Sequence, residues 1–332
     1  MNNLSFDINT AILADSDFFT SMAEKVIPFL DGICKSGYME TKSAGGGEAA
    51  GKLYYEAYCP EKAKAAIVIS HGFSESIEKY KEVIYYFTSA GYQVYLADHR
   101  GHGRSLRDTS HPSMVHIRQF TDYVDDLYAF ILKVVKPSCG GLPLYLYAHS
   151  MGGCIGAFYL ETHPDTFQKA ILTSPMLGII MAVPAPCALA LGHIMTSLHR
   201  EEHYAPGQSP YSPDERFEGS CSASFSRFQY YQEKRKANPL FQTSGASYGW
   251  SYQALCACRF VTQKRNCKKI TAPVLVFQSS NDHLVKASSI RRFVAYTPSA
   301  SLIKIDGSRH EIYNSPADVL VEYYRSVFAF LG

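Results

Sequence analysis

Three residues far apart in the chain are of the types that together make a hydroxyl nucleophilic: Ser150, Asp282 and His310. A serine hydroxyl attacks poorly until a base takes its proton, and the base needs a carboxylate to orient it and steady its charge. Ser150 stands in Ala148-His149-Ser150-Met151-Gly152, after the strand-length run Leu144 to Ala148 and before the small-residue segment Gly152-Gly153-Cys154-Ile155-Gly156. Strand, serine, helix is the context of a nucleophile elbow, a strained turn that projects the hydroxyl above a sheet edge. Such a turn closes only if the residues two before and two after the serine are small. Here they are Ala148 and Gly152, so Ala replaces the usual first Gly of G-x-S-x-G. Gly153 and Gly156 would let the helix pack close to the sheet. Taken alone, the stretch also reads as an ordinary buried strand-turn-helix with an incidental serine.

The acid and the base are expected later in the chain. Asp282 lies in the loop Ser279-Ser280-Asn281-Asp282-His283, after the strand Val274 to Gln278. Catalytic groups of open α/β sheets collect at the carboxyl ends of strands. A turn-capping Asp is the plainer reading, and Asp306 is the rival acid. His310 follows the last strand, Ser301 to Ile305, and precedes the final helix, which is where the base belongs. Of the other eleven histidines, His149 adjoins the serine and is expected to face away from it, and His71 and His99 sit in earlier loops. An acyl-transfer site also needs donors for the developing oxyanion, each contributing roughly 3–4 kcal/mol. Backbone N–H groups of Met151 and of Phe73, in His71-Gly72-Phe73-Ser74-Glu75, are the candidates.

Positioning these groups requires a particular order of elements. Residues 1 to 36 form a leader in which Phe18, Phe19, Met22, Val26, Ile27 and Leu30 recur at helical spacing. The acids Asp15, Asp17, Glu24 and Asp31 outweigh Lys25, so the leader reads as a helix lying on the main body rather than on a membrane. A loop at Gly45-Gly46-Gly47 and a strand from Leu53 to Tyr58 follow. From 65 to 175 strands alternate with helices, which implies a parallel sheet covered on both faces. The alternation stops from 176 to 265, where Pro184, Pro186, Pro206, Pro210, Pro213 and Pro239 separate short helical pieces. It resumes from 266 to 332. One core, 37 to 175 plus 266 to 332, is thus split by an inserted cap.

Composition bounds the remaining choices. A chain of 332 residues exceeds the usual ~100–200 residues per domain, which suits one large core with an insertion. A net charge of +2 gives no reason to expect nucleic acid as a partner. The nine cysteines are odd in number and scattered, with no C-x-x-C pair. They read as reduced thiols in a cytoplasmic protein. The start lacks a basic region followed by an apolar block, so no secretory signal is expected. The uncharged stretch Ser174 to Leu198 is long enough to span a bilayer, yet Gly178, Pro184, Pro186, Gly192 and His193 interrupt it. Its expected role is an acyl-binding wall above Ser150, with Ile180 and Leu191 facing the substrate. Two patterns are set aside. His199-Arg200-Glu201-Glu202-His203 fits H-x-x-E-H, a zinc-peptidase pattern, but Pro206 follows closely and no third ligand is evident. Gly101-His102-Gly103-Arg104-Ser105-Leu106 lacks the third Gly of a dinucleotide loop.

Together, His71-Gly72, Asp98-His99-Arg100-Gly101-His102-Gly103-Arg104-Ser105, Ala148 to Gly153, Asp282 and His310 resemble the lysophospholipase and monoacylglycerol lipase-like branch of the α/β-hydrolases. In the cap, Gly245-Ala246-Ser247-Tyr248-Gly249-Trp250 resembles the corresponding segment of bacterial lysophospholipase L2-like proteins, which makes Trp250 a substrate-binding candidate. The resemblance implies an α/β-hydrolase fold, with a mostly parallel central sheet, helices on both faces and an inserted cap. It also implies ester hydrolysis of a monoacyl lipid with no metal or cofactor, and the triad Ser150, Asp282 and His310. Expected partners are a small-molecule acyl ester and, transiently, a membrane surface. The alternatives are a small-molecule esterase or amidase whose cap excludes long chains, and a catalytically silent ligand-binding protein.

Overall fold

The structure, a computed structural model, describes residues 7–41 and 51–332. The Gly45-Gly46-Gly47 loop and the first six residues of the leader lie outside that range. Eight strands form one sheet in the order β1-β2-β4-β3-β5-β6-β7-β8: β1 Cys34–Thr41, β2 Gly51–Tyr58, β3 Ala65–Ser70, β4 Tyr92–Ala97, β5 Leu144–His149, β6 Lys169–Thr173, β7 Val274–Ser279 and β8 Ala300–Ile305. The β1–β2 and β2–β4 pairs are antiparallel and the rest parallel. β1 opens at Cys34, inside the stretch read as leader. Side chains alternate across a strand, so β3 sends Ala66 and Val68 into one apolar core and Ala65, Ile67 and Ile69 into the other. Every residue of β3 is buried. A strand covered on both faces must read as a continuous apolar run rather than an alternating one, and Ala-Ala-Ile-Val-Ile does.

Helices Thr121–Phe130, Met151–Thr162 and Ala287–Tyr296 cover the first core, and Lys81–Ser89 and Ala317–Leu331 the second. The leader joins the second core through Phe18, Met22, Val26 and Leu30, on a continuous helical run from Phe18 to Asp31 that contains a π-type stretch at Met22–Val26.

Between β6 and β7 the chain leaves the sheet and forms helices Ala185–Ser197, Phe225–Ala237 and Tyr248–Val261. Buried Arg227 ties this region down. Its guanidinium donates to Glu82 Oε1 at 2.6 Å, to Asp15 Oδ1 at 2.9 Å and to the Leu13 carbonyl at 3.0 Å. One side chain therefore links insertion, core and leader.

The apolar stretch Ser174 to Leu198 differs from expectation. Ile180 is 46% exposed, Leu191 40%, Ile194 52% and Leu198 60%. The helix that Pro184 starts rests on the Tyr248–Val261 helix along one narrow line. At that line a Cβ on Gly192 would meet Tyr252 Cβ at 2.7 Å. The opposite face stays open. Residues 199–203, the H-x-x-E-H stretch, form turns after this helix rather than a helix of their own. No helix among the described residues is long and apolar enough to cross a membrane.

Candidate active site

Ser150 sits between the end of β5 and the Met151–Thr162 helix with φ 51° and ψ −115°. A non-glycine residue in this region is strained and persists only where its surroundings enforce it. Here the enforcement is hydrogen bonding: the Ser150 amide donates to Thr173 O at 3.2 Å, and the Ser150 carbonyl accepts from Met176 N at 2.8 Å and Cys154 N at 3.1 Å. Gly152 is obligatory, since a Cβ there would lie 2.0 Å from the Ser70 carbonyl oxygen.

The loops after β7 and β8 bring the other two groups to this corner. Ser150 Oγ lies 2.8 Å from His310 Nε2, and His310 Nδ1 lies 2.8 Å from Asp282 Oδ2. With Asp282 ionised, Nδ1 carries the ring proton and donates to the carboxylate, leaving Nε2 to accept from the serine hydroxyl. Burial alone would raise the Asp282 pKa. The His310 hydrogen bond and charge, with the amides of Leu284 and Val285, outweigh it and hold the carboxyl below its ordinary value. Those amides donate to Oδ1 at 2.9 and 3.1 Å. Asp306, the rival acid, has a side chain 82% exposed and pairs with Lys304 at 3.0 Å.

The loop after β3 is organised by a buried carboxylate. Glu75 Oε2 accepts from the Gly72 amide and from Tyr80 OH, each at 2.6 Å, and Oε1 accepts from Tyr313 OH at 2.6 Å. Burial raises its pKa, but Lys79, 3.3 Å away, and the other donors pull it well below the usual carboxylate range. With the Gly72 amide taken, the Phe73 amide is the next donor of the loop. The Met151 amide opens its helix, where N–H groups have no intrahelical acceptor. His149 is buried and packs on His310, with ring centroids 5.0 Å apart, while its Nδ1 lies 3.1 Å from the Thr173 carbonyl oxygen. Burial lowers its pKa to about 4, so it is neutral at pH 7.

A cavity of about 290 Å³ opens onto Ser150 and His310. Its cap wall is not the one expected. Ile180, Leu191 and Trp250 are absent from its lining. Ile180 and Leu191 fail because they lie on the open side of the 174–198 stretch. Trp250 is buried behind Phe73, ring centroids 4.3 Å apart, and so supports the loop instead of touching the cavity. The wall comes from the helix Phe225–Ala237, through Phe228, Tyr231, Gln232 and Arg235. These four fall at i, i+3, i+4 and i+7, one helical face. That spacing was available in the sequence, but the face is mixed rather than apolar and carries no hydrophobic signal.

A mostly parallel eight-stranded sheet, with an elbow serine facing a histidine and an aspartate from the loops after its last two strands, defines an α/β-hydrolase. The chain belongs to the family described as serine aminopeptidase, S33, whose sequence model matches residues 61–317. Among curated proteins it is 30% identical to lysophospholipase L2 of Escherichia coli strain K12, over 74% of each chain. It is 26% identical to the monoacylglycerol lipase of Mycolicibacterium smegmatis, over 81% of this chain and 90% of that one. Among solved structures, a thermostable carboxyl esterase from Bacillus coagulans shares the fold, with a TM-score of 0.70 and 18% identity over 89% of this chain and 97% of that one.

Proposed function

We propose that this hydrolase cleaves the ester of a monoacyl lipid through an acyl-enzyme on Ser150. His310 Nε2 takes the hydroxyl proton as Ser150 Oγ attacks the ester carbonyl. Asp282 keeps the imidazole oriented and stabilises its charged form. The carbonyl oxygen becomes an oxyanion held by the Phe73 and Met151 amides. As the tetrahedral intermediate collapses, His310 gives its proton to the departing glycerol oxygen. Water then enters, loses a proton to His310 and attacks the acyl carbon. Collapse of this second intermediate returns the proton to Ser150 Oγ and releases the fatty acid.

The observation that carries this reading is the unbroken hydrogen-bonded line Asp282–His310–Ser150, ending at the cavity. The names of the relatives, lysophospholipase and monoacylglycerol lipase, support a substrate with one acyl chain on glycerol. The cavity is small beside the roughly 300–1,000 Å³ of ligand pockets. Its polar lining suits the glycerol end of such a lipid. The acyl chain would leave past Leu284, which lines the cavity and whose carbonyl accepts from the Ile180 amide at 2.8 Å. Ile180 at that point is exposed, as are Val183 and Leu191 of the same stretch, which suits a substrate still partly in a lipid surface. A cytoplasmic location is supported by nine free cysteines.

The test is kcat/KM for p-nitrophenyl esters from C2 to C16 and for monoacyl lipids. Each added methylene that finds apolar contact contributes up to ~0.8 kcal/mol, so the constants should climb with chain length. A flat profile would favour a small-ester hydrolase, and no turnover of any ester would reject the reading.

A further inference from the structure

Two donors in the cavity converge on one carboxylate oxygen. Glu215 Oε2 accepts from Arg235 Nη1 at 2.8 Å and from Gln232 Nε2 at 2.9 Å. All three residues line the cavity that holds Ser150. The two donors differ from the acceptor in burial. Arg235 is 7% and Gln232 8% exposed, whereas the Glu215 side chain is 42% exposed. Arg235 is fixed further by its Nη2 bond to the Thr243 carbonyl at 3.3 Å and by the Tyr211 ring 4.6 Å below its guanidinium. Its Nε is buried and finds no hydrogen-bond partner among the described residues, and neither does Gln232 Oε1. The guanidinium is therefore held rigidly, and its Nη1, beside Gln232 Nε2, is occupied only by a group that can swing into water.

We propose that Arg235 and Gln232 bind the phosphodiester of a glycerophospholipid head group in place of the Glu215 carboxylate, so that the site selects lysophospholipids over monoacylglycerols. This rests on the ester-hydrolase reading of Ser150. A carboxylate oxygen between two donors is a stand-in for a phosphate oxygen, and the charge-assisted bond from Arg235 Nη1 beside the Gln232 amide suits such an oxygen. The occupant is weakly held, because an ion pair with one exposed partner gains little against water. The other charges of the cavity are already committed. Lys79 pairs with Glu311 and lies 3.3 Å from Glu75, and Glu311 also accepts from Asn314 Nδ2 at 2.8 Å. Arg235 is thus the cation of the cavity whose partner can leave. A monoacylglycerol has nothing to replace that partner.

The experiment compares 1-palmitoyl-lysophosphatidylcholine with 1-palmitoylglycerol, which share the acyl chain and scissile ester. The ratio of their kcat/KM values should fall at least tenfold in Arg235→Gln. It should rise severalfold in Glu215→Gln, which removes the competitor and leaves Arg235 in place. A merely structural role would lower both substrates together and could not give opposite signs. Calorimetric binding of lysophosphatidylcholine to Ser150→Ala supplies a readout independent of turnover. Affinity should drop about tenfold when Arg235→Gln is added, and inorganic phosphate at matched ionic strength should compete only while Arg235 is present. An unchanged substrate ratio in both single variants, equal losses on both lipids, or lysolipid binding that is the same with and without inorganic phosphate would overturn the proposal. Wild-type binding of lysophosphatidylcholine without hydrolysis of either lipid would reject the Ser150 reading instead.

Discussion

The rings of Trp250 and Phe73 meet at 4.3 Å, so a helix of the inserted region buttresses the loop whose amide is proposed to hold the oxyanion. Trp250 begins the first turns of the Tyr248–Val261 helix, fixed by the Ser247 hydroxyl accepting from its amide at 3.0 Å. The same helix therefore backs the Phe73 ring.

Truncating this contact should affect catalysis and stability together. Trp250→Ala removes a buried aromatic side chain at a typical cost of ~3–5 kcal/mol. A melting temperature lower by several degrees and a fall in kcat larger than the change in KM are expected. Trp250→Phe, which keeps a ring against Phe73, should restore most of kcat. Thermal unfolding and steady-state kinetics of the two variants check this. A destabilised Trp250→Ala with unchanged kcat would separate the helix from the loop's function.

Asp282 and Asp306 offer a direct contrast. Asp282→Asn loses the acceptor that holds the His310 tautomer, and turnover should fall on the order of 10⁴-fold. Asp306→Asn removes only an exposed pair with Lys304 and should leave kcat within about twofold. Equal sensitivity at the two positions would mean that the acid is misassigned.

Glu161 should make the protein sensitive to alkaline pH. It is a buried residue in the last turn of the Met151–Thr162 helix, and neither carboxyl oxygen finds a hydrogen-bond partner among the described residues. Burial pushes its pKa to about 9, against the counter-pull of the Lys269 charge. The folded state therefore binds a proton that the unfolded state releases near pH 4.5. Stability linked to this group is full below that pH and declines as pH rises toward 9, by on the order of 3 kcal/mol at pH 7. Glu161→Gln should flatten this slope and unfold at higher temperature than wild type at pH 8, with little difference at pH 4.5. Parallel stability–pH curves would mean that Glu161 finds a partner or water.

How much of this was legible in the sequence depended on whether the cause was local. The elbow at Ser150 needs small residues at 148 and 152, and that requirement is written within five positions. Asp282 and His310 could be read because each follows a strand whose end must face the site. The insertion could not be read the same way. An uncharged run from Ser174 to Leu198 suggests burial, but hydrophobicity states a preference and not a partner. Pro184 starts a helix that lies outside, touching the rest along the Gly192 line. The cavity wall instead comes from Phe225–Ala237, a helix with Lys234, Arg235 and Lys236 in its last turn, and such a charged run gives no sign of burial. Whether Arg235 turns inward depends on Glu215 and Thr243, which only the fold brings near.

The central claim is that Ser150 is the activated nucleophile. A fluorophosphonate probe reacts with a serine whose proton is taken by a neighbouring base. Intact-mass measurement should show one adduct per wild-type chain at neutral pH, mapped by peptide sequencing to Ser150. It should show none on Ser150→Ala with an unchanged melting profile, and strongly slowed labelling on His310→Ala. Labelling that persists on Ser150→Ala, or a wild type that stays unlabelled while hydrolysing esters, would contradict the account.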